Sequence, residues 1–599
     1  GGYELFNTVG DAIAIVEHSG LAQTLAYDAD GRLARVRDPQ GRELRFAYDT
    51  KGLLVRVDTP DGGVVALAYA GGKLATITHA DQSVRRFVYG ESTLVNPDDA
   101  RAADALTGIV DEAQVRFATT KYDIAHRAIR TYLTDGVSDH RFAYQPSSDG
   151  NHVRVATVTL PLGGIATLTH AAISGRVRTT ARSFSCTGCV SRQATQTWDA
   201  MANPDIGTDF TGVVTDEDYS GPGMLTRQVD AQGTLLERAL QVQWDAALRV
   251  PVQVDRPGQR HVYAYNTRGQ VVLDHLVDVA TGATRTTTYS YCEPAHVDAG
   301  ACPLVGLPTA MNGPRLDVVD ATTWTWRPYD HGSCATNPTG CPFRKGDLWR
   351  ITRPGGQVTE FLAWDGAGRP RSVKDANGVV TDLEYSTRGW LTARKVRGAD
   401  AAIEADDAIT RLAYDPVGQL VQVTRPDGAT LRLAYDAAHR LVAVTDALGH
   451  VVRYTLDAAG HRVREATFAG GTAERRTLAR VYDALGLLAR QDDAYGRATL
   501  FTQEPGGDLD LRSDPLGHTE DRDLDALGRL ATSVRDAGGI AATSRFGFDA
   551  RDNLVRATDP DGLDTSYLHD GLDDLVERRS PDTGTTRYDF DAAGNLVAR

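Results

Sequence analysis

A period of about 21 residues runs through this chain and constrains its fold more than any other feature. Aromatic residues open the repeats of the N-terminal part at Tyr27, Tyr48, Tyr69 and Tyr89. The C-terminal part holds the same period, with two longer steps of 26 and 24 residues, at Tyr414, Tyr435, Leu456, Tyr482, Gln503, Leu524, Phe548, His569 and Phe590. In the middle, residues 21 apart form the pairs Trp198 and Tyr219, Trp244 and Tyr265, and Trp364 and Tyr385. Such self-similarity indicates a repeat architecture.

Each repeat predicts two short strands and two turns. Asp38-Pro39-Gln40-Gly41 is typical of a turn, because Pro presets φ, Gly accepts a positive φ and Asp bonds the local backbone. Apolar and polar residues alternate along the following stretch, which predicts a strand with one apolar and one polar face. We therefore interpret the aromatic residues above as packing residues, here called repeat anchors, whose polar atoms bond near a turn, and we assign them no catalytic role.

The predicted fold class is all-β, with tandem hairpins forming one long antiparallel sheet. Roughly 50 strands at about 4.8 Å each would make a ribbon on the order of 240 Å long. A ribbon of that length cannot stay flat, because strands twist and an exposed edge templates aggregation. We predict that it winds into a hollow spiral shell or barrel, since repeats this short contain no helices to cover the faces of the sheet.

We divide the chain into four regions, which we expect to form one continuous shell. Residues 1–92 are N-terminal repeats, and residues 93–195 are an irregular insertion or degenerate repeats. Residues 196–360 are degenerate repeats with cysteine-containing loops, and residues 361–599 are regular repeats. The high glycine content, 59 residues, fits a chain rich in turns.

The recurring Tyr-Asp-x-x-Gly-[Arg/Asn]-Leu pattern, seen at 27–33 and in shortened form at 525–530 and 591–596, resembles the Rhs/YD-repeat family. That family includes bacterial polymorphic toxins, the B and C components of insecticidal toxin complexes, and the teneurins. The resemblance implies a hollow β-shell that, in the bacterial toxins, encloses a C-terminal toxin. It also implies a terminal Asp-Pro-x-Gly motif at which an aspartate-dependent cleavage releases the toxin. We carry no cleavage residue onto this chain, whose Asp-Pro-x-Gly sequences are repeat turns, and we expect cargo and cap to lie outside it.

Six cysteines fall into three local pairs: Cys186 with Cys189, Cys292 with Cys302, and Cys334 with Cys341. The second pair begins after Tyr291 and the third follows Tyr329-Asp330-His331-Gly332, which places both in loops inserted at hairpin turns. Disulfides that staple these loops are the favoured interpretation and imply an oxidising compartment. A zinc site, a redox-active Cys-x-x-Cys and free buried thiols stay open as alternatives.

Other chemistry finds little support in the sequence. Net charge is −15 without basic blocks, which argues against a nucleic-acid partner, and no apolar run is long enough to span a membrane. We find no motif for nucleophilic catalysis, zinc hydrolysis or phosphate binding. The acidic stretches at 28–31 and 216–218 do not continue as calcium loops. We predict no catalytic residue, metal or cofactor.

The leading hypothesis is a secreted or surface-exposed bacterial protein that forms the encapsulating shell of a toxin, with the C-terminal toxin of the same polypeptide as its partner. Secretion-apparatus proteins or surface glycans are further possible partners. The alternative is a cell-surface or wall-associated adhesion or carbohydrate-binding protein that presents stapled loops. A glycan hydrolase is the least supported hypothesis, because no pair of carboxylates can be singled out at catalytic separation.

Overall fold

The computed structural model describes residues 2–148, 150, 152–400, 403–470 and 473–599. Within these ranges strands make up 53% of the chain and helices 4%, and 49 strands form one antiparallel sheet. The predicted all-β fold is therefore confirmed. The first strand and the forty-ninth each pair with a single neighbour in this sheet, so the sheet is not closed.

The strands are short, and each complete repeat contributes two of them. Strands β1 to β25 lie at Tyr3–Phe6, Ala12–Val16, Ala22–Tyr27, Leu33–Arg37, Glu43–Tyr48, Leu54–Asp58, Val64–Ala70, Lys73–Thr78, Val84–Tyr89, Leu106–Val110, Arg116–Tyr122, Ala128–Leu133, His140–Pro146, Val153–Thr159, Ile165–Ile173, Arg176–Ser185, Arg192–Trp198, Pro204–Thr208, Val214–Gly221, Met224–Asp230, Arg238–Trp244, Pro251–Arg256, Gln259–Tyr265, Val271–Asp278 and Thr284–Tyr291. Strands β26 to β51 lie at Pro308–Asn312, Thr322–Trp326, Leu348–Arg353, Gln357–Trp364, Pro370–Lys374, Val380–Tyr385, Leu391–Val396, Ala408–Tyr414, Leu420–Thr424, Thr430–Tyr435, Leu441–Thr445, Val451–Leu456, Arg462–Phe468, Glu474–Tyr482, Leu488–Asp492, Ala498–Gln503, Leu509–Ser513, Thr519–Leu524, Leu530–Arg535, Ala542–Phe548, Leu554–Thr558, Asp564–His569, Leu575–Ser580, Gly584–Arg587, Asp589–Phe590 and Leu596–Ala598. The last two form a separate two-stranded sheet.

Helices are confined to loops. One α-helix, α1, lies at Pro294–Asp298, and short 3₁₀ helices lie at Ala102–Asp104, Thr134–Gly136, Gly332–Ala335, Pro354–Gly356 and Glu404–Asp406.

The turns follow from their sequence. In the first complete repeat the Asp28 carboxylate accepts hydrogen bonds from the backbone N–H groups of Asp30 and Arg32, both at 2.9 Å. Gly31 closes the turn with a φ of 76°, a conformation that disfavours residues with a Cβ. The same Asp cap recurs along the chain, for example at Asp436 and Asp525. A local signal repeated in this way fixes the hairpin register.

A β-bulge accompanies most repeat anchors. The pairing of β3 with β4 shifts register between Ala26 and Tyr27, and that of β5 with β6 shifts between Ala47 and Tyr48. The same shift recurs just before Tyr435 in the C-terminal part. A bulge bends the strand and increases its twist, so one bulge per repeat curves the whole ribbon in the same sense.

The sheet is a single layer. A compact protein of 64.5 kDa would expose about 20,000 Å², whereas this one exposes 31,964 Å². Large apolar residues such as Phe46 and Leu67 share one face of the sheet and are only half-buried. This apolar face is not covered by a second layer within the described residues.

The ribbon winds back on itself. Side chains that touch across the winding are 276 to 328 residues apart in sequence, as for Arg388 with Glu112 and His439 with Asp111. One winding therefore takes about two dozen strands, which at about 4.8 Å per strand gives a circumference of about 115 Å and a diameter of about 37 Å. The predicted hollow spiral is confirmed, with about two windings.

Candidate functional site

The repeat anchors connect each repeat to the one before it. The hydroxyl group of Tyr48 donates to the carbonyl of Leu33 at 2.8 Å, where β4 begins opposite the bulge of the preceding hairpin. Equivalent bonds to a carbonyl are made by Tyr27, Trp198, Trp244, Tyr265, Trp364, Tyr385 and Tyr435. Tyr219 bonds instead to the Glu217 carboxylate, and Tyr69, Tyr89, Tyr414 and Tyr482 show no such bond among the described residues. The anchors thus satisfy carbonyls that lie beside the bulges.

Three further anchors escaped sequence reasoning. Tyr122 and Tyr144 lie within residues 93–195, and their hydroxyl groups donate to the carbonyls of Leu106 and Ala128. The Tyr122-Asp123 dipeptide was the signal that could have found the first. The third is Trp326, which donates to the Pro308 carbonyl, whereas Tyr329 is an exposed loop residue. Residues 93–195 therefore contribute strands to the same sheet, although the domain boundaries themselves stay a prediction.

The arginine that follows the turn glycine also has a role that the sequence did not reveal. Arg32 bonds to the Asp28 carboxylate at 2.8 Å, and its guanidinium lies 5.0 Å from the ring centroid of Tyr48 in the next repeat. Arg369 lies over Tyr385 in the same way, at 4.8 Å. A cation over an aromatic ring is a favourable contact. The turn of one repeat therefore stabilises the anchor of the next.

The feature with the greatest functional interest is the line along which the two windings meet, here called the seam. The contacts along it run from Ser19, which faces Gly306, to Arg315, which pairs with Asp591. No strand pairing crosses the seam in the described ranges, and only isolated backbone bonds do, such as Ser138 N–H to the Ala458 carbonyl at 2.7 Å. Ion pairs cross it between Arg42 and Asp347, Asp61 and Arg369, Glu112 and Arg388, Arg238 and Asp552, Arg285 and Asp574, and Arg315 and Asp591. Hydrogen bonds also cross it, for example between His439 and Asp111 and from Gln259 to the Gly571 carbonyl. Ion pairs and single hydrogen bonds, and not a β-ladder, join the windings.

Glu112 is a carboxylate of the seam with three partners, and its side chain is fully buried. It lies 2.9 Å from His79 Nε2, 3.2 Å from Arg85 Nη2 and 3.4 Å from Arg388 Nη2, the last across the seam. Burial opposes ionisation, but a backbone hydrogen bond and the two guanidinium groups outweigh it, so the pKa of Glu112 lies below its ordinary value. This carboxylate is therefore ionised at neutral pH and holds three cationic or polar groups together.

The pKa of Asp347 is shifted in the opposite direction. It bonds to Arg42 across the seam at 2.6 Å, and both side chains are almost fully buried. Burial raises the pKa of Asp347 above its ordinary value, because the charge of Arg42 does not fully compensate for the loss of water. The seam thus contains one carboxylate stabilised by its partners and one that is costly to ionise.

Glycines permit the closest approach between windings. A Cβ added to Gly306 would lie 1.7 Å from the Ser19 carbonyl oxygen, and one added to Gly366 would lie 2.7 Å from the Pro60 carbonyl oxygen. Neither backbone oxygen can move aside without displacing a turn. The two positions therefore require glycine because of the seam.

The structure joins all three cysteine pairs as disulfides, with Cα–Cα distances of 5.4, 5.8 and 4.5 Å. Each lies in a loop that borders the seam. The loop closed by Cys292 and Cys302 leads to Gly306 against Ser19, and the loop of Cys334 and Cys341 leads to Asp347 against Arg42. The Cys186–Cys189 turn ends at Arg192, which donates to the Pro505 carbonyl at 3.2 Å. The disulfides therefore shape the turns that meet across the seam.

No three His, Cys, Asp or Glu side chains of the described residues converge as metal ligands. The described helices include none with the length and apolarity needed to cross a membrane.

The comparisons with known proteins identify the repeat. The family description "RHS Repeat" matches residues 27–64, 364–400, 414–449, 435–473, 525–566 and 548–585. No curated protein sequence matches this chain. Among solved structures, the chain is similar to the crystal structure of TcdB2-TccC3 without its hypervariable C-terminal region, with 14% identity and a TM-score of 0.49 over 100% of this chain and 37% of that one. It is also similar to the crystal structure of TcdB2-TccC3-Cdc42, with 14% identity and a TM-score of 0.46 over 99% and 38%.

A third similar structure is that of the Photorhabdus luminescens Tc holotoxin pore with the TccC3-D651A mutation, with 14% identity and a TM-score of 0.44 over 100% of this chain and 36% of that one. This chain thus spans well under half the length of the chains it resembles. The six sequence matches begin at or next to repeat anchors, and the anchors, capped turns and spiral sheet described above extend the same unit along the chain. The chain therefore carries RHS repeats in its N-terminal and C-terminal parts, and its sheet has the shell-like form described above.

Proposed function

We propose that this chain is the wall of a container that encloses a C-terminal toxin polypeptide of the same secreted bacterial protein. The observation that carries the proposal is the single-layer sheet, with an exposed area about half as large again as that of a compact protein of equal mass. An uncovered apolar face hundreds of residues long is a liability in water unless something occupies it. A polypeptide kept from folding, with its own apolar residues exposed, is a suitable occupant.

The seam suits this role. A wall joined along its windings by ion pairs can separate there without breaking any strand pairing, because each hairpin pairs only with its sequence neighbours. Three disulfides beside the seam fit an oxidising compartment outside the cell. The wall itself would have no catalytic activity and would need no cofactor, and secretion-apparatus proteins would deliver it.

The alternative role in adhesion or carbohydrate binding receives less support. It requires stapled loops to be displayed, and most residues of the two larger loops are exposed. The contacts with the opposite winding at Ser19 and Arg42 are made by Gly306 and Asp347, which follow these loops. Adhesion leaves the uncovered apolar face without an occupant, which is why containment is preferred.

The test uses the full-length protein. Electron microscopy should show a hollow particle with internal density, and added protease should leave any polypeptide that follows residue 599 intact until the shell is opened with denaturant. Cleavage of that polypeptide at the rate of the same polypeptide expressed alone would overturn the proposal, as would density found only outside the wall.

A further inference from the structure

One stretch of the wall lacks acidic residues. The protein has 79 Asp and Glu among 599 residues, yet none falls between positions 150 and 198, where Arg154, Arg176, Arg178, Arg182 and Arg192 occur. This stretch supplies β14 to β17. In a protein of net charge −15 it forms a cationic panel of the sheet.

A groove runs from β16 and β17 of this panel to the neighbouring β18 and β19, with a cavity volume of about 580 Å³. Two small residues leave room for the groove. Ala194 pairs in register with Arg182, and Gly207 pairs with Gln196. The side chains of Arg178, Arg182, Gln196, Trp198 and Phe210 are among those that line it.

The two arginines of the groove, Arg178 and Arg182, form no ion pair with any described residue. Arg178 lies 4.9 Å from the ring centroid of Trp198, and its buried Nε atom has no hydrogen-bond partner. The side chain of Arg182 forms neither a hydrogen bond nor an ion pair within the described part of the chain. Asp209, the carboxylate that lines the groove, accepts bonds from the N–H and hydroxyl groups of Thr211 and from the N–H of Val213 within its own turn. The groove therefore presents two guanidinium groups that form no ion pair with Asp209.

The groove opens on the apolar face. Tyr144, Ala156, Leu168, Arg182 and Ala194 form one row of directly paired residues across β13 to β17. Paired residues of antiparallel strands point to the same face, so Arg182 shares the face of the anchor Tyr144. A cation thus interrupts the face on which the apolar residues lie.

We propose that this groove binds a carboxylate-bearing segment of polypeptide, in which acidic residues alternate with apolar ones. Guanidinium groups form charge-assisted, bidentate hydrogen bonds with carboxylates, and the surrounding apolar face accepts the neighbouring side chains. The Trp198 ring is covered by Arg178 on one side, which makes it a poor platform for a sugar ring. That the occupant is a polypeptide rests on the proposed containment; the anion preference rests on the groove alone.

The probe is a fluorescein-labelled peptide of alternating Glu and Leu residues, with a second peptide in which Gln replaces every Glu. Fluorescence anisotropy should show at least tenfold tighter binding of the Glu peptide to the wild-type protein. The double variant Arg178→Gln with Arg182→Gln should lose that preference. The matched control, Arg425→Gln with Arg453→Gln, should keep the preference. It changes two arginines outside the groove whose side chains form no ion pair with any described residue, and one of them also lies over an aromatic ring. Circular dichroism verifies that each variant is folded.

Equal binding of the two peptides, or an equal loss in the control variant, would overturn the proposal. So would a sulfated hexasaccharide that binds the groove more tightly than the Glu peptide, because the occupant would then be a glycan. Protease protection in the full-length protein is measured separately, so a failure of the groove and a failure of containment give different results.

Discussion

Replacing Glu112 with Gln should open the seam locally while leaving the hairpins intact. The substitution removes the charge that holds Arg388 of the opposite winding, and it leaves Arg85 and His79 without their carboxylate. Removal of one partner from a buried ion pair typically costs about 3–5 kcal/mol. Arg85 is 42% exposed and stays hydrated, so we expect a smaller cost of about 2 kcal/mol for the Glu112→Gln variant.

Hydrogen exchange followed by mass spectrometry measures this effect. A cost of about 2 kcal/mol raises the local opening equilibrium about 30-fold, and exchange should accelerate accordingly in residues 79–83, 111–115 and 386–390. The control is Glu43→Gln, which disrupts pairs with Arg35 and Arg45 within one winding. Pairs with exposed arginines contribute about 0.2–1 kcal/mol each, so exchange should accelerate less in Glu43→Gln than in Glu112→Gln.

The pH dependence gives a second measurement on the same variant. Because the pKa of Glu112 is depressed in the folded protein, its contribution to stability is present above the unfolded pKa of about 4.3 and is lost as pH falls through the folded value. Wild-type stability should therefore fall on acidification, and the fall should be smaller in Glu112→Gln. The idea that charge holds the seam is wrong if Glu112→Gln and Glu43→Gln show the same hydrogen-exchange rates and lose stability equally on acidification.

Four further changes test other parts of the structure. Asp347→Asn should cost less than Glu112→Gln in urea unfolding, because the raised pKa of Asp347 means that its ionisation is unfavourable in the folded state; a greater cost would contradict this. Gly306→Ala should lower stability by about 2 kcal/mol more than Gly428→Ala, which has a similar φ but no atom within 4 Å of the added Cβ; equal costs would refute the close approach. Tyr48→Phe should cost about 1 kcal/mol through the lost bond to Leu33, whereas Tyr495→Phe at an exposed turn should be neutral in the same assay. Cys302→Ser should cost about 3 kcal/mol by loop-closure entropy, and a non-reducing mass spectrum of the wild type that shows free thiols would argue against the disulfides.

Much of the fold could be predicted because its determinants are local. The turn around Asp28 and Gly31 and the alternation before Tyr48 each specify a hairpin within one repeat, and the period then specifies a sheet. Even the winding follows in outline from strand twist. The bulges before the anchors, which supply the curvature, have no separate sequence signal beyond the anchor itself.

The seam could not be predicted, because its partners depend on the circumference of the winding. Nothing in the repeat indicates that Arg42 meets Asp347 and not an acidic residue one repeat away. Arg388 and Arg268 both lie three residues after an anchor, yet Arg388 bonds across the seam and Arg268 bonds to Glu293 of its own winding. Equivalent residues thus have different roles according to their place in the spiral.

The separation of about 300 residues between seam partners has a consequence for synthesis. Ribosomes add about 5–20 residues per second, so the partner of an early turn emerges on the order of 15–60 s after it. Hairpins close in microseconds, and the first winding would therefore be complete, with its lower border unpaired, long before the second reaches it. Any chaperone that guards the nascent protein would be needed at this border for that interval.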